Sequence, residues 1–398
     1  ELLHHPSKGS LYLNLYYDLG GLSEEEVQYL DILTDMLDEL DTPRHTAREL
    51  NTLRSTWLGD STACIAFWTG RQEGTPCHAK LVLSMSLLER SLEKAIELGG
   101  EFLYETKLTG EKAEAAFARV LSQQKLNMEQ QFIQMGNQYA MVRAMSHYAV
   151  EYALSEACSG VTGYKFLCGL LEQADWAALG KKLEAVREKV LPGSVFAEEA
   201  RGTAKPYTQE LTAPVNEAFL IDGGVNYDIL AWPQERKPER RVLARVMSYE
   251  YLWHNIREVG GAYGTGMLTR AGAEAYYTYR DPHMAESYET FAKGPAELAA
   301  RSYTEKDLTD SIVGTVSEMD KPMKPCAEAK DLDRRYFCGV TDEMLAADRR
   351  ALCGVDEAAM KAMAADLGKA AEHGTRVAFG SKEAVEAAKE LFDRVETL

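Results

Sequence analysis

Ile256-Arg257-Glu258-Val259-Gly260-Gly261-Ala262-Tyr263-Gly264 joins two kinds of pattern. Before it, Val242, Val246, Tyr249, Trp253 and Ile256 recur at spacings of four, three, four and three, the signature of one helix face. Pro238 suits the first turn of that helix, and Gly260-Gly261 stops it. After it, residues Ala262–Thr269 and Glu274–Tyr279 read as two strands. A phosphate-binding glycine loop needs the opposite order, a strand before the glycines and a helix after them. The stretch therefore reads as a helix stop, then a strand whose backbone something approaches closely.

Outward from there, the chain shows the same order of elements twice. In the first half, Leu11–Leu19 alternates as a strand. Ser23 and Glu26 form a capping box for a helix whose stripe is Val27, Leu30, Leu33, Met36, Leu37 and Leu40. A helix at Thr46–Leu58 and strands at Cys64–Thr69 and Lys80–Leu87 follow, with Gly59–Ala63 read as a loop. Long amphipathic helices are expected at Glu89–Tyr104, Glu111–Ile133 and Gln138–Ala157, and helix continues to about Val190. Pro192-Gly193 and Gly202-Thr203-Ala204-Lys205-Pro206 mark a boundary. Strands at Glu217–Ile221 and Tyr227–Ala231 open the second half. A short strand at Arg376–Phe379 and a closing helix end it. Strands grouped apart from helices argue an α+β class, with domains at 1–203 and 204–398.

Composition narrows function. The 398 residues carry a net charge of −18, which argues against nucleic-acid binding. No apolar run is long enough to span a bilayer, and the opening residues do not read as a signal peptide. Seven cysteines without a C-x-x-C pair argue against a disulfide framework or a thiolate metal site and suit a reducing compartment. Eight histidines contain neither H-E-x-x-H nor H-x-x-E-H. His147 and Glu151, four apart, supply half of a metal site at most. Gly59-Asp60-Ser61-Thr62-Ala63 lacks the second glycine of a nucleophile elbow.

The opening stretch resembles the "R-E-x-G-G-A-Y-G" signature in the C-terminal half of presequence proteases and their falcilysin-like relatives, within the pitrilysin/insulinase superfamily of zinc metallopeptidases. Tyr277–Pro282 is similar to the "Y-R-D-P" strand end that follows it there, and Asp320–Pro325 to a proline-punctuated turn beyond. Ala140–Ala144, Ser159–Leu167 and the Leu11–Leu19 strand resemble the domain before it. One stretch departs from the family. Residues Ser194–Gly202, where an apolar strand would close the first domain, read Ser-Val-Phe-Ala-Glu-Glu-Ala-Arg-Gly, which puts the boundary in doubt.

The resemblance implies two successive domains of the mitochondrial-processing-peptidase-like fold, each a mostly antiparallel sheet packed with helices. It implies a clamshell whose N-terminal half, absent here, holds the zinc and the base. This half closes over short unstructured peptides and contributes Arg257 and Tyr263, with Gly260, Gly261 and Gly264 clearing the way for substrate backbone. No metal site and no catalysis by this segment alone are expected. Its partners would be the N-terminal catalytic half, in the same or a separate chain, and peptides, with no nucleic acid and no membrane. A bacterial cytoplasm is the expected location. An arginine and a tyrosine at a helix end also suit plain capping and packing. A separate non-catalytic subunit and an inactive peptide-binding scaffold stay open beside the peptidase reading.

Overall fold

The computed structural model describes residues 9–71, 76–191, 205–270 and 272–398. Its first sheet has three antiparallel strands in the order β1-β3-β2: β1 Ser10–Asp18, β2 Leu58–Thr69 and β3 Cys77–Leu88. Helices α1 (Glu24–Met36) and α2 (Ala47–Trp57) lie between β1 and β2. Both start on reciprocal capping boxes. The Ser23 hydroxyl accepts from the Glu26 amide while the Ser23 amide donates to the Glu26 carboxylate, and Thr46 with Glu49 repeats the device. The stretch read as a loop, Gly59–Ala63, is strand instead. β2 leaves α2 without a connector, and the pairing with β3 slips between Leu58 and Asp60. Gly59 sits in that slip, where a Cβ would fall 2.9 Å from the Ser86 hydroxyl.

Five helices follow: α3 (Leu92–Tyr104), α4 (Glu111–Met145), α5 (Val150–Ser159), α6 (Val161–Gln173) and α7 (Trp176–Val190). The expected break near residues 134–137 is present as a kink, where Met135 leaves helical geometry (φ −131°). α4 runs on through it to a length of 35 residues, and the helices separate at residues 146–149. The kink lets one helix serve two cores. Ala113, Phe117 and Leu121 pack with the first sheet, whereas Phe132, Ala140, Ala144 and Met145 pack on the second. The bend is held by hydroxyls. Tyr227 Oη donates to the Ile133 carbonyl at 2.6 Å and Tyr279 Oη to the Gln134 carbonyl at 3.4 Å. Gly136 lies against the Tyr227 ring, where a Cβ would come within 2.4 Å.

The second sheet has six strands in the order β6-β7-β5-β8-β4-β9. These are β4 Glu217–Leu220, β5 Tyr227–Pro233, β6 Gly264–Thr269, β7 Ala273–Tyr279, β8 Thr375–Gly380 and β9 Arg394–Thr397. Pairing is antiparallel from β6 to β8, and β4 runs parallel to both β8 and β9. The fold is α+β. The expected closing helix is only α14 (Lys382–Ala387). The chain then turns back into β9, whose Arg394 meets the buried Glu217 of β4. Helices α8 (Arg240–Val246), α9 (Met284–Ala300), α10 (Glu305–Met319), α11 (Pro325–Phe337), α12 (Asp342–Cys353) and α13 (Glu357–Glu372) complete this half. One face of the sheet packs on α8, α9 and α13, the other on α4 and α6.

Two further contacts fasten the halves. Arg143 of α4 holds Glu217 (Nε to Oε2, 2.6 Å) and reaches Glu156 of α5 (3.2 Å). α11 lies over the outer face of the first sheet, where Asn14 and Tyr16 both donate to Asp333 and Phe337 stacks on Trp68 at 4.7 Å. The expected boundary signals Pro192-Gly193 and Gly202–Ala204, and the doubtful Ser194–Gly202, lie outside the described residues.

Candidate functional site

The helix leading into the glycine signature begins as α8 and continues, from Met247 to Val259, as a π-helix. Its hydrogen bonds span five residues, as between the Gly260 amide and the Asn255 carbonyl (3.1 Å). The wider winding changes which side chains face the core, and the expected stripe divides. Val242, Val246 and Ile256 are buried, but Tyr249 is 56% exposed and Trp253 half-buried, while Met247 and Leu252 take the core positions. Tyr249 and Trp253 instead turn toward a cavity and lie 6.2 Å apart.

Trp253 is the platform for Arg257, one step further along. The Arg257 guanidinium lies 3.9 Å over the Trp253 ring and 5.9 Å from the Tyr263 ring centre. Such stacking fixes a cation without consuming its hydrogen-bond donors. The neighbouring carboxylate, Glu258, is engaged by His254 at 2.9 Å. Among the described residues no carboxylate lies within ion-pair distance of Arg257, and its side chain makes no hydrogen bond.

The glycines place Tyr263 beside it. Gly260 ends the helix where a Cβ would strike the Ile256 carbonyl at 2.6 Å, and Gly261 reverses the chain at φ +82°. The Ile256 and Arg257 carbonyls are closed by the amides of Ala262 and Gly261, each at 3.1 Å. The Tyr263 amide then joins the sheet through the Tyr279 carbonyl, and its ring stands edge-on to Tyr279 at 5.8 Å. The ring is 69% exposed, and its hydroxyl has no partner among the described residues. Gly264 differs from the other two. A Cβ there would make only an ordinary 3.6 Å contact with Tyr279, so nothing within the chain requires glycine at this point. Arg257, Tyr263, Gly260, Gly261 and Gly264 thus converge on one open corner.

The neighbouring motif has a structural task. Arg280 adopts φ +52° and leans on the Tyr279 ring rather than pairing with Asp281. Asp281 is buried, accepting from the His283 amide (2.8 Å) and the Ser287 hydroxyl at the start of α9. Tyr276 is core, stacked on Phe291, whereas Tyr277 is half-buried and lines the cavity. The free edge of β6 is covered at Met267, whose amide donates to the Ser248 hydroxyl at 2.8 Å.

Zinc does not fit the residues present. His147 sits in the α4–α5 turn with Nδ1 toward Thr212, and Glu151 accepts from the Thr69 amide at 2.9 Å, so each is committed elsewhere. Among the described residues no three His, Cys, Asp or Glu side chains are grouped to hold a metal. No described helix is long and apolar enough to cross a membrane.

Two family models match in tandem, that of the peptidase M16 (subfamily C) associated domain over residues 3–170 and that of the PreP C-terminal domain over residues 216–373. In shape the chain matches a peptidase M16 inactive domain from Pseudomonas fluorescens, with a TM-score of 0.58 and 14% identity, over 94% of this chain and 93% of that one. Fold and tandem matches together define a half of an M16 peptidase. Presequence protease 1 of Arabidopsis thaliana is 24% identical over 95% of this chain and 38% of its own length. Protein HypA of Clostridium perfringens is 22% identical over 97% of this chain and 42% of its own. The chain spans about two fifths of the length of these curated relatives. It belongs to the presequence-protease-like M16 peptidases, as a C-terminal half.

Proposed function

We propose that this chain is the substrate-contacting half of a zinc metalloendopeptidase that degrades short unstructured peptides in a closed chamber, and that it cleaves nothing alone. The observation that carries the reading is the pair of uncommitted donors, Arg257 and Tyr263, held side by side on an open corner. A guanidinium offers several donors in a fixed fork and stays charged, and the phenol adds a neutral donor. Together they suit a peptide carbonyl, or the negative charge that grows on it during attack. Zinc and the base are assigned to an N-terminal half, in the same or a partner chain, since no group of described residues here is built to hold a metal. The free thiols suit a reducing compartment, which in turn suits a bacterial cytoplasm.

Arg257→Ala and Tyr263→Phe in the native gene product test the assignment through kcat/KM on an unstructured peptide. Loss of one oxyanion-type donor costs about 10²–10³-fold. Arg257→Ala is expected near that range and Tyr263→Phe at about tenfold, as for a single net hydrogen bond. Values within twofold of the parent at both positions sink the site.

A further inference from the structure

The cavity that Tyr249 and Trp253 face lies between the end of β2, α5, α8 with its π-helical extension, β6, and α10–α12. Its volume, about 860 Å³, falls in the range of clefts that enclose small ligands or several side chains. Its charge is the reverse of the chain's. Over the whole sequence Asp and Glu outnumber Lys and Arg by 62 to 44, yet nine Lys and Arg against six Asp and Glu line this cavity.

The acids are largely spoken for. Glu274 turns to the buried Arg240, Asp331 pairs with Arg334 and Arg335, and Glu318 with Arg245. Glu151 accepts from a backbone amide, and burial, ahead of every other cause, raises its carboxyl above the ordinary value. One carboxylate, Asp348, receives both Arg71 and Arg236, so the cavity already displays how its guanidiniums take an acid. Arg241 and Arg270 have no such partner. Among the described residues neither has a carboxylate within ion-pair distance, and Arg270 reaches only its neighbour's Thr269 carbonyl and the Tyr152 hydroxyl. Burial first lowers Arg71, Arg236 and Arg241, with Arg236 pushed down to about 10; neighbouring cations add to this at Arg71 and Arg236, while at Arg241 the attraction of Glu318 exceeds the repulsion of Arg270. Like charges gathered out of water without enough counter-charge cost free energy that an entering anion offsets.

We propose that this cavity is a subsite for acidic peptide side chains, with Arg241 and Arg270 as the groups that receive the carboxylate. Peptide is favoured as the source because one side chain, Trp253, both lines the cavity and carries the Arg257 guanidinium, so the cavity and the candidate site are neighbours. The inference rests on the peptidase reading. It adds a substrate class, namely peptides with Asp or Glu a short way from the bond contacted by Arg257 and Tyr263.

Fluorescence anisotropy on the native gene product tests it, with a labelled unstructured peptide containing Glu and its Glu→Gln counterpart of the same length. The Glu peptide is expected to bind about tenfold tighter or better, the worth of one charge-assisted hydrogen bond. Arg241→Gln with Arg270→Gln removes that difference while the Gln peptide still binds, and an unchanged far-UV circular dichroism spectrum shows that the variant is folded. Arg241→Lys with Arg270→Lys keeps part of it. Should the double Gln variant not fold, rising salt on the parent protein must erode the Glu preference alone. Equal affinities for the two peptides, or a preference that survives both the Gln substitutions and salt, overturn the subsite while peptide binding stands. No binding of either peptide overturns the peptidase reading and the subsite with it.

Discussion

Asp228 shows how much a single buried group shapes the ground beneath the candidate site. One carboxylate oxygen accepts from the Thr278 hydroxyl at 2.8 Å, and the other is buried without a partner. Burial first, and the nearby Asp281 second, raise this carboxyl well above its ordinary value, so the folded protein holds its proton where the unfolded chain has released it. In the window from the ordinary carboxylate range upward to that raised value, the native state binds more protons. Stability contributed by Asp228 is therefore complete at low pH and is lost as pH rises through the window. Asp228→Asn should flatten that slope, since an amide keeps the shape without titrating. Urea unfolding of parent and variant between pH 5 and 8 checks this, and parallel slopes reject it. In the sequence this carboxyl is only one acid in a strand. Adjacency there also suggests that its neighbour Asp281 pairs with Arg280, an ion pair that the αL turn at Arg280 prevents.

Among elements, the kinked α4 and the π-helix decide what is near Arg257. The α4 bend hands the Ile133 and Gln134 carbonyls to Tyr227 and Tyr279, and Tyr279 is the ring against which Tyr263 stands. Gly136→Ala would drive a methyl into the buried Tyr227 ring and force that contact apart. We expect a loss of about 1–3 kcal/mol, the usual range for overpacking, read as a lower urea midpoint at unchanged m. An unchanged midpoint would mean that the bend absorbs the methyl. Both elements also mark the limit of legibility. Capping boxes, the glycine stop and the alternating strands are readable because each is local. The π-winding is not, since the spacings of Val242, Val246, Tyr249, Trp253 and Ile256 fit an ordinary helix, and tertiary packing of Met247 and Leu252 overrides them. The glycine motif leads to Arg257 and Tyr263, but the helical stripe puts Trp253, which positions Arg257, in the core. Arg241 and Arg270 carry no sequence signal at all, because the cavity gathers its charges from distant segments.

At the scale of the whole molecule, the helices of the first half and the second sheet share a core. Phe132, Met145 and Tyr164 meet Phe219, Ile229 and Phe379 across what the sequence order suggests is a domain junction. Each large apolar side chain buried there contributes about 1.5–3 kcal/mol. Arg143 crosses the same junction to Glu217, which Arg394 also holds, and its removal takes from the buried Glu156 the only cation it meets among the described residues. Arg143→Met is thus expected to cost about 3–5 kcal/mol. Calorimetry should show one transition moved to lower temperature, because the apolar contact remains. Two separate transitions in the parent protein would contradict the shared core.

That kinked helix, seated in both cores, also ties the two walls together. A bent beam built into both walls, its bend clamped by the Tyr227 and Tyr279 hydroxyls, carries torque from one to the other. On the proposed reading, a swing that admits peptide would pivot outside these two sheets. Arg257 and Tyr263, at one helix end and the turn after it, would then move as a pair.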